Sequence, residues 1–237
     1  MTERLNKAME IEQIYLAHRM KGEEPFHLVD KIIELGYSSL EEYFKEKGEY
    51  KFSQWIPEVY RIDVSEFSAA VEDAILHEKY GIYIPVADGL YAYHGTDDID
   101  YALCSELGVR VIELNYTGGT IVGSSEDLSI EIVMPNSIGF DSRIINNKIL
   151  EIVSAYVNGV SISGNDLLLN GEKVMGSMTR YVGNTFVWAA QISFGEYYDI
   201  IQQVCNKESV KKPSHIPSDK ITRDQLESEV LKWLLKQ

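Results

Sequence analysis

The chain has 237 residues, 45% of them hydrophobic, and a formal net charge of −15. It is long enough to bury an ordinary core without disulfide staples, and its acidity argues against nucleic acid, whose phosphates need a basic face. No apolar run nears the roughly twenty residues of a membrane span, and the opening MTERLNKAME lacks the apolar core of a secretory signal.

Residues 1–55 read as a polar helical extension. Leu5, Met9 and Tyr15 give an approximate helical stripe; Phe26, Val29 and Ile33 give a cleaner one that Gly36 would stop. Ser39 and Glu42 have capping-box spacing before Leu40 and Phe44, and Gly48 would close that helix. The extension is expected to pack on the main domain, and docking of a partner is the other reading.

Residues 56–237 form the expected main domain. Residues 59–64 read as a strand, followed by a helix capped by Ser65 and ended by Gly81, with His77 on its face or edge. Strands at 82–86 and 90–93 flank the turn Ala87-Asp88-Gly89. Residues 97–107 suit a short helix in which Cys104 is a small packing residue rather than a nucleophile. Its distance from Cys205 and the lack of metal-ligand spacing fit a reduced, cytoplasmic setting. A strand at 108–115 leads into the loop Thr117-Gly118-Gly119-Thr120, and another at 128–134 ends at Pro135. Ile144, Ile145, Ile149, Ile152, Val153 and Tyr156 then form a helical stripe on 141–158, stopped by Gly159.

Residues 160–163 lead into NDLLLNGEKVMGSMTR, residues 165–180. Asn170-Gly171 is the dipeptide that best tolerates positive φ at both centres of a type I′ turn, so a tight hairpin is expected. Lys173 falls two positions past the turn, where a ladder fixes its backbone and lets its ammonium be aimed. Gly176 removes a side chain close by. Spacing alone also permits a surface lysine beside a turn, with a glycine at a bulge. After an apolar run at 189–194 come a helix at 197–204 and a basic, proline-bearing connector with His215. The spacing of Thr222 and Gln225 is that of a capping box, ahead of a terminal helix with Leu226, Val230 and Trp233 inward.

Asn165, Asp166, Leu167, Gly171, Lys173, Gly176 and Ser177 together resemble the lysine hairpin of the lipoate–protein ligase family, which includes octanoyl transferases and is related to biotin protein ligases. The element order from residue 59 onward is similar as well. The resemblance implies an α+β fold of the biotin/lipoate protein ligase catalytic-domain kind, a central mixed or antiparallel sheet flanked by helices. It implies that Lys173 contacts the acyl carboxyl and the phosphate of an acyl-adenylate. Thr117, Gly118, Gly119, Gly176 and Ser177 would line the acyl site. Asn165 and Asp166 would hold the hairpin or meet substrate, and Arg180 is a candidate second cation. Lipoate or octanoate would be the acyl ligand, with ATP and magnesium for an active ligase. A lipoyl carrier domain would be the protein partner, and an accessory subunit could complete the enzyme. Such carriers are acidic, so this acidic chain would need a local basic patch.

The chain departs from the family pattern at several positions. Leu114 and Asn115 stand where the family has arginines, and Thr120 replaces a third glycine. No histidine follows near Gly123 and Ser124, and Asn184, Val187 and Trp188 occupy the region of the family's Cys or His. No metal ligand is assigned. Two readings therefore stand: an enzyme that attaches or moves a lipoyl or octanoyl group through Lys173, and a catalytically degenerate relative that binds an acyl ligand or a protein partner.

Overall fold

The computed structural model describes residues 2–19, 28–38, 40–47, 57–94, 99–113, 121–135, 142–183, 185–205 and 214–235. In chain order its elements begin with helices α1 (Glu3–Arg19), α2 (Leu28–Glu34) and α3 (Leu40–Lys47). Next come β1 (Glu58–Asp63), α4 (Val64–Leu76), β2 (Gly81–Val86), β3 (Tyr91–His94), α5 (Tyr101–Glu106) and β4 (Arg110–Glu113). They continue with β5 (Ile121–Gly123), β6 (Leu128–Pro135), α6 (Ser142–Ser154), β7 (Val160–Ser163) and β8 (Asp166–Leu169). The last four are β9 (Glu172–Val182), β10 (Thr185–Ile192), α7 (Tyr198–Val204) and α8 (Arg223–Leu234).

A seven-stranded sheet has the order β1-β2-β6-β10-β9-β8-β7, and a three-stranded sheet the order β4-β3-β5. The large sheet is mixed. β1 and β2 run parallel because α4 carries the chain back between them, and the other neighbours are antiparallel. This is the α+β architecture expected from the sequence.

One face of the large sheet is closed by helices. Ile145, Ile149, Ile152 and Val153 of α6 and Leu226, Val230 and Leu234 of α8 pack on Leu128, Ile130, Ile132 and Met134 of β6 and on Phe186, Trp188 and Ile192 of β10. Each such side chain contributes about 1.5–3 kcal/mol by leaving water. The Trp188 indole N–H donates to Asn146 Oδ1 at 3.2 Å, so the one polar atom of the largest buried side chain is satisfied. On the other face, Val64, Phe67 and Val71 of α4 join Tyr91, Tyr93 and Ile112 of the small sheet over Val133 and Val187. β6 is therefore buried on both faces: Leu128, Ile130, Ile132 and Met134 face the helices, while Ser129, Glu131 and Val133 alternate with them and are buried on the other side.

Helices α1–α3 share their own cluster, Leu5, Ala8, Tyr15, Leu28, Ile32, Tyr37 and Tyr43, with Ile144 of α6 packed against it. Buried Glu12 pins α1 to α3 by accepting from the Tyr43 hydroxyl and, at 2.7 Å, from the Lys47 ammonium. An Arg143–Asp30 ion pair at 3.1 Å ties α2 to α6. Among the described residues, no helix is long and apolar enough to cross a membrane.

Several local expectations shift. In α2, Leu28 and Ile32 are buried while Ile33 is 49% exposed, so Ile33 does not belong to the inward stripe; the side chain of Val29 is not among those described. Phe26, Ser39 and Gly48 lie outside the described residues. Glu42 accepts from the Ser38 backbone N–H at 2.7 Å, one residue before the expected capping partner. Asp63, not Ser65, caps α4: its carboxylate accepts from the Ser65 N–H, since an ionised acceptor suits the positive end of a helix. Gly81 opens β2 instead of ending α4, which stops at Leu76. Tyr156 lies past the end of α6 and is 46% exposed. The Thr222–Gln225 capping box of α8 is present in full.

Candidate functional site

The hairpin of β8 and β9 turns at Asn170, φ 51°, and Gly171, φ 87°. Positive φ at both central residues is the type I′ geometry the dipeptide specifies. The turn is held from behind: the Asn170 N–H donates to the Gly159 carbonyl at 2.9 Å.

Beyond the turn the register is irregular. Leu169 pairs Glu172 and Leu168 pairs Lys173, but Leu167 pairs Met175 and Asp166 pairs Gly176, so Val174 is an extra residue in β9. In a regular strand, positions three apart point to opposite faces; the bulge at Val174 turns Lys173 and Gly176 to the same face. It also sends both Val174 and Met175 into the helix-covered core. The carbonyls around the bulge find other partners. The Ser214 N–H donates to Lys173 O at 2.7 Å and the Ser193 N–H to Val174 O at 2.8 Å.

The Lys173 ammonium reaches back along its own strand and across to Asp166, 2.7 Å from Oδ1. A Cβ added at Gly176 would lie 2.9 Å from Lys173 Nζ and 3.0 Å from its Cε, so the lysine occupies the space a side chain there would need. On the neighbouring positions, the Ser177 N–H and hydroxyl both donate to the Asn165 carbonyl at 2.9 Å. Arg180 pairs with Val187 and shares the Gly176 face, four residues or about 13 Å further along β9.

The small sheet sits beside this place. Ser129, Gln191, Gly176 and Asp166 form one continuous rung across β6, β10, β9 and β8. The Tyr91 hydroxyl hydrogen-bonds with Ser129 Oγ at 2.9 Å, and Gln191 Nε2 donates to the Val122 carbonyl at 2.6 Å. Gly123 permits that approach, since a Cβ there would come within 2.6 Å of both Gln191 Nε2 and the Tyr91 ring. The small sheet thus covers the Ser129–Gln191 half of the rung, and the Gly176–Asp166 half carries Lys173.

Below the covered half, Asp127 forms a buried knot. Its carboxylate accepts from the N–H groups of Phe194 at 2.8 Å, Gly195 at 3.3 Å and Ser124 at 2.8 Å, and from the Tyr197 hydroxyl. Burial outweighs these bonds and pushes the carboxyl above its ordinary range. Burial also raises the Tyr91 and Tyr197 phenols. The sequence reading missed this network. Its signal was polar residues, Ser129 and Gln191, at inward positions of otherwise apolar strands.

The remaining expected site residues divide as follows. Thr117, Gly118 and Gly119, with Leu114, Asn115 and Thr120, lie outside the described residues, as does Asn184. Val187 and Trp188 are fully buried on opposite faces of β10, each inside a core. His77 follows the end of α4, exposed and 2.9 Å from Asp73. Cys104 is buried in a cluster that also holds Ala92, Val109 and Cys205, and burial raises its thiol pKa, which suits packing rather than nucleophilic attack. Among the described residues, no three His, Cys, Asp or Glu side chains gather as metal ligands.

By sequence, the chain matches no family model and no curated protein. By structure, it is similar to P. falciparum LipL1 in complex with lipoate, with a TM-score of 0.64 and 13% identity over 76% of this chain and 62% of that one. It therefore spans less than two thirds of LipL1. It is also similar to a bi-partite lipoate protein ligase from Thermoplasma acidophilum, described together with its E2 lipoyl domain, at a TM-score of 0.59 and 13% identity over 74% of this chain and 82% of that one. A lipoate-protein ligase A bound with ATP matches at a TM-score of 0.59 and 15% identity, over 75% of this chain and 83% of that one.

Proposed function

We propose that this chain, which has the fold of lipoate–protein ligases, handles a lipoyl or octanoyl group and passes it to the lysine of a lipoyl carrier domain, with Lys173 as the catalytic cation. The observation that carries the reading is the placement of Lys173: on a stiff hairpin, on the sheet face opposite α6 and α8, beside the edge of the small sheet.

The chemistry asks for a cation at that place. When the neutral carrier amine attacks the acyl carbon, a C–N bond forms, the bond from that carbon to its leaving group, adenylate or thiolate, breaks, and the amine's proton passes to the leaving group or to water. Negative charge grows on the acyl oxygen in between, and a fixed ammonium stabilises it without reorganising. Arg180, on the same face, is the candidate for a second negative group. ATP enters as a substrate, and magnesium would arrive on its phosphates; no described residue is assigned to the metal. By analogy with the bi-partite Thermoplasma ligase, an accessory chain would be a further partner.

One observation favours a second reading, acyl binding without transfer. Where the resemblance leads to a Cys or His, Val187 and Trp188 are core residues. The test is incubation with ATP, magnesium, octanoate or lipoate and a lipoyl carrier domain, followed by intact mass. Carrier modification that disappears in Lys173→Ala supports transfer. No modification, with octanoate still raising the melting temperature, selects the binding reading. If neither acid alters melting and no carrier is modified, both readings fail.

A further inference from the structure

We infer that Asp166 and Gly176 are positioning residues that together seat the Lys173 ammonium, an inference that rests on the acyl-transfer reading for its catalytic consequence. A lysine has a flexible four-carbon stem and, left alone beside a turn, samples many rotamers. Three features remove that freedom here. The bulge at Val174 puts Lys173 and Gly176 on one face. The bare Cα of Gly176 lets the stem lie back along the strand, where any Cβ would meet Nζ at 2.9 Å. The Asp166 carboxylate, directly across from Gly176, receives the ammonium at 2.7 Å.

The backbone beneath is also held, because the Lys173 carbonyl accepts from the Ser214 N–H at 2.7 Å. An ammonium has three donors. One goes to Asp166, and among the described residues no second ion pair is made by Lys173, which leaves donors for an acyl oxygen. The Lys173 side chain keeps 37% of its exposure while that of Asp166 keeps only 18%, so the lysine is the more accessible member of the pair. Asp166 thus acts through Lys173 and does not itself touch the reacting atoms.

The experiment is trace acetylation of the full chain with acetic anhydride. The rate at Lys173 is read by peptide mass spectrometry against Lys232, whose side chain is 59% exposed. Asp166→Asn is expected to speed labelling of Lys173 about two- to fivefold, the range of a partly exposed ion pair, with little change in melting temperature. Gly176→Ala is expected to do the same by pushing the stem off the strand, and its added methyl displaces only the end of a flexible side chain. Asp166→Glu keeps the charge and is expected to restore part of the protection.

In the carrier assay, Asp166→Asn is expected to lower kcat about ten- to hundredfold while leaving KM for octanoate nearly unchanged, the signature of a misplaced rather than missing group. Unchanged labelling of Lys173 in both Asp166→Asn and Gly176→Ala overturns the seat; should Asp166→Asn fail to fold, Gly176→Ala alone decides. Faster labelling in the variants, with neither octanoate binding nor carrier modification by the unaltered chain, leaves the seat standing and overturns the acyl reading instead.

Discussion

On one face of the seven-stranded sheet, Trp188, Phe186, Ile130 and Ile132 lie sealed beneath α6 and α8. On the opposite face, β9 presents Gly176 and Arg180, with Lys173 and Asp166 paired by charge rather than by packing. Strand β9 serves both. Its Val174 and Met175 belong to the core, while every residue from Gly176 to Val182 is only half-buried. The contrast separates what holds the fold from what is available for chemistry: the sealed face is packed apolar against apolar, and the open face keeps a positioned cation near water.

This contrast can be broken from either side. Trp188→Ala removes the largest fully buried side chain and strands the Asn146 acceptor; a loss of about 3–5 kcal/mol is expected in denaturant unfolding. A loss under about 1 kcal/mol would mean that the sealed face is not the source of stability. Lys173→Ala should do the reverse. Carrier modification should fall by about a hundredfold or more, with unfolding nearly unchanged, because a half-exposed lysine contributes little packing. If instead Lys173→Ala unfolds the chain while the residual enzyme keeps its rate, the division between the faces is wrong.

Asp127 lies beneath the small sheet and gives a smaller, pH-dependent effect. Its carboxyl is raised above the ordinary 3.8 by burial, so ionising it is harder in the folded than in the unfolded chain. Its contribution is therefore full below the unfolded value and is lost as pH climbs through the raised folded value. Asp127→Asn disturbs the knot and is expected to cost about 1–3 kcal/mol. The more telling measurement is the melting difference between the two proteins from about pH 4 to about pH 7. The advantage of the unaltered chain should shrink as pH rises, and a flat or growing difference would refute the assignment. Thr222→Ala, at the exposed start of α8, should cost only about 1 kcal/mol by removing one half of the capping box. An effect much larger than that would place α8's start in the structural core rather than at its rim.

Much of the scaffold was legible in the sequence because it rests on short-range rules. Asn170-Gly171 specified its turn, and Thr222 with Gln225 specified a helix start, since both depend on residues within four positions of each other. The stripe on α6 was readable for the same reason, although Tyr156 does not share the buried face of Ile145 and Ile149. Ile33 of short helix α2 was misread as inward because seven residues give too few turns to fix a phase. The strand at 128–134 was legible as well, but that its polar positions, Ser129 and Glu131, are also buried depends on neighbours the strand meets only after folding. The Asp127 knot was invisible because its partners, Ser124, Phe194, Gly195 and Tyr197, come from two segments far apart in the chain.

By itself, the order of residues determined a tight turn, a lysine two positions beyond it and a glycine three further on, because turn chemistry and strand period act locally. Only the tertiary structure decided that this lysine and this glycine share a face. That required an extra residue at Val174, and a bulge forms where packing draws two successive side chains, Val174 and Met175, into one core. The same shift of register brought Asp166 opposite Gly176, and so fixed where the ammonium rests.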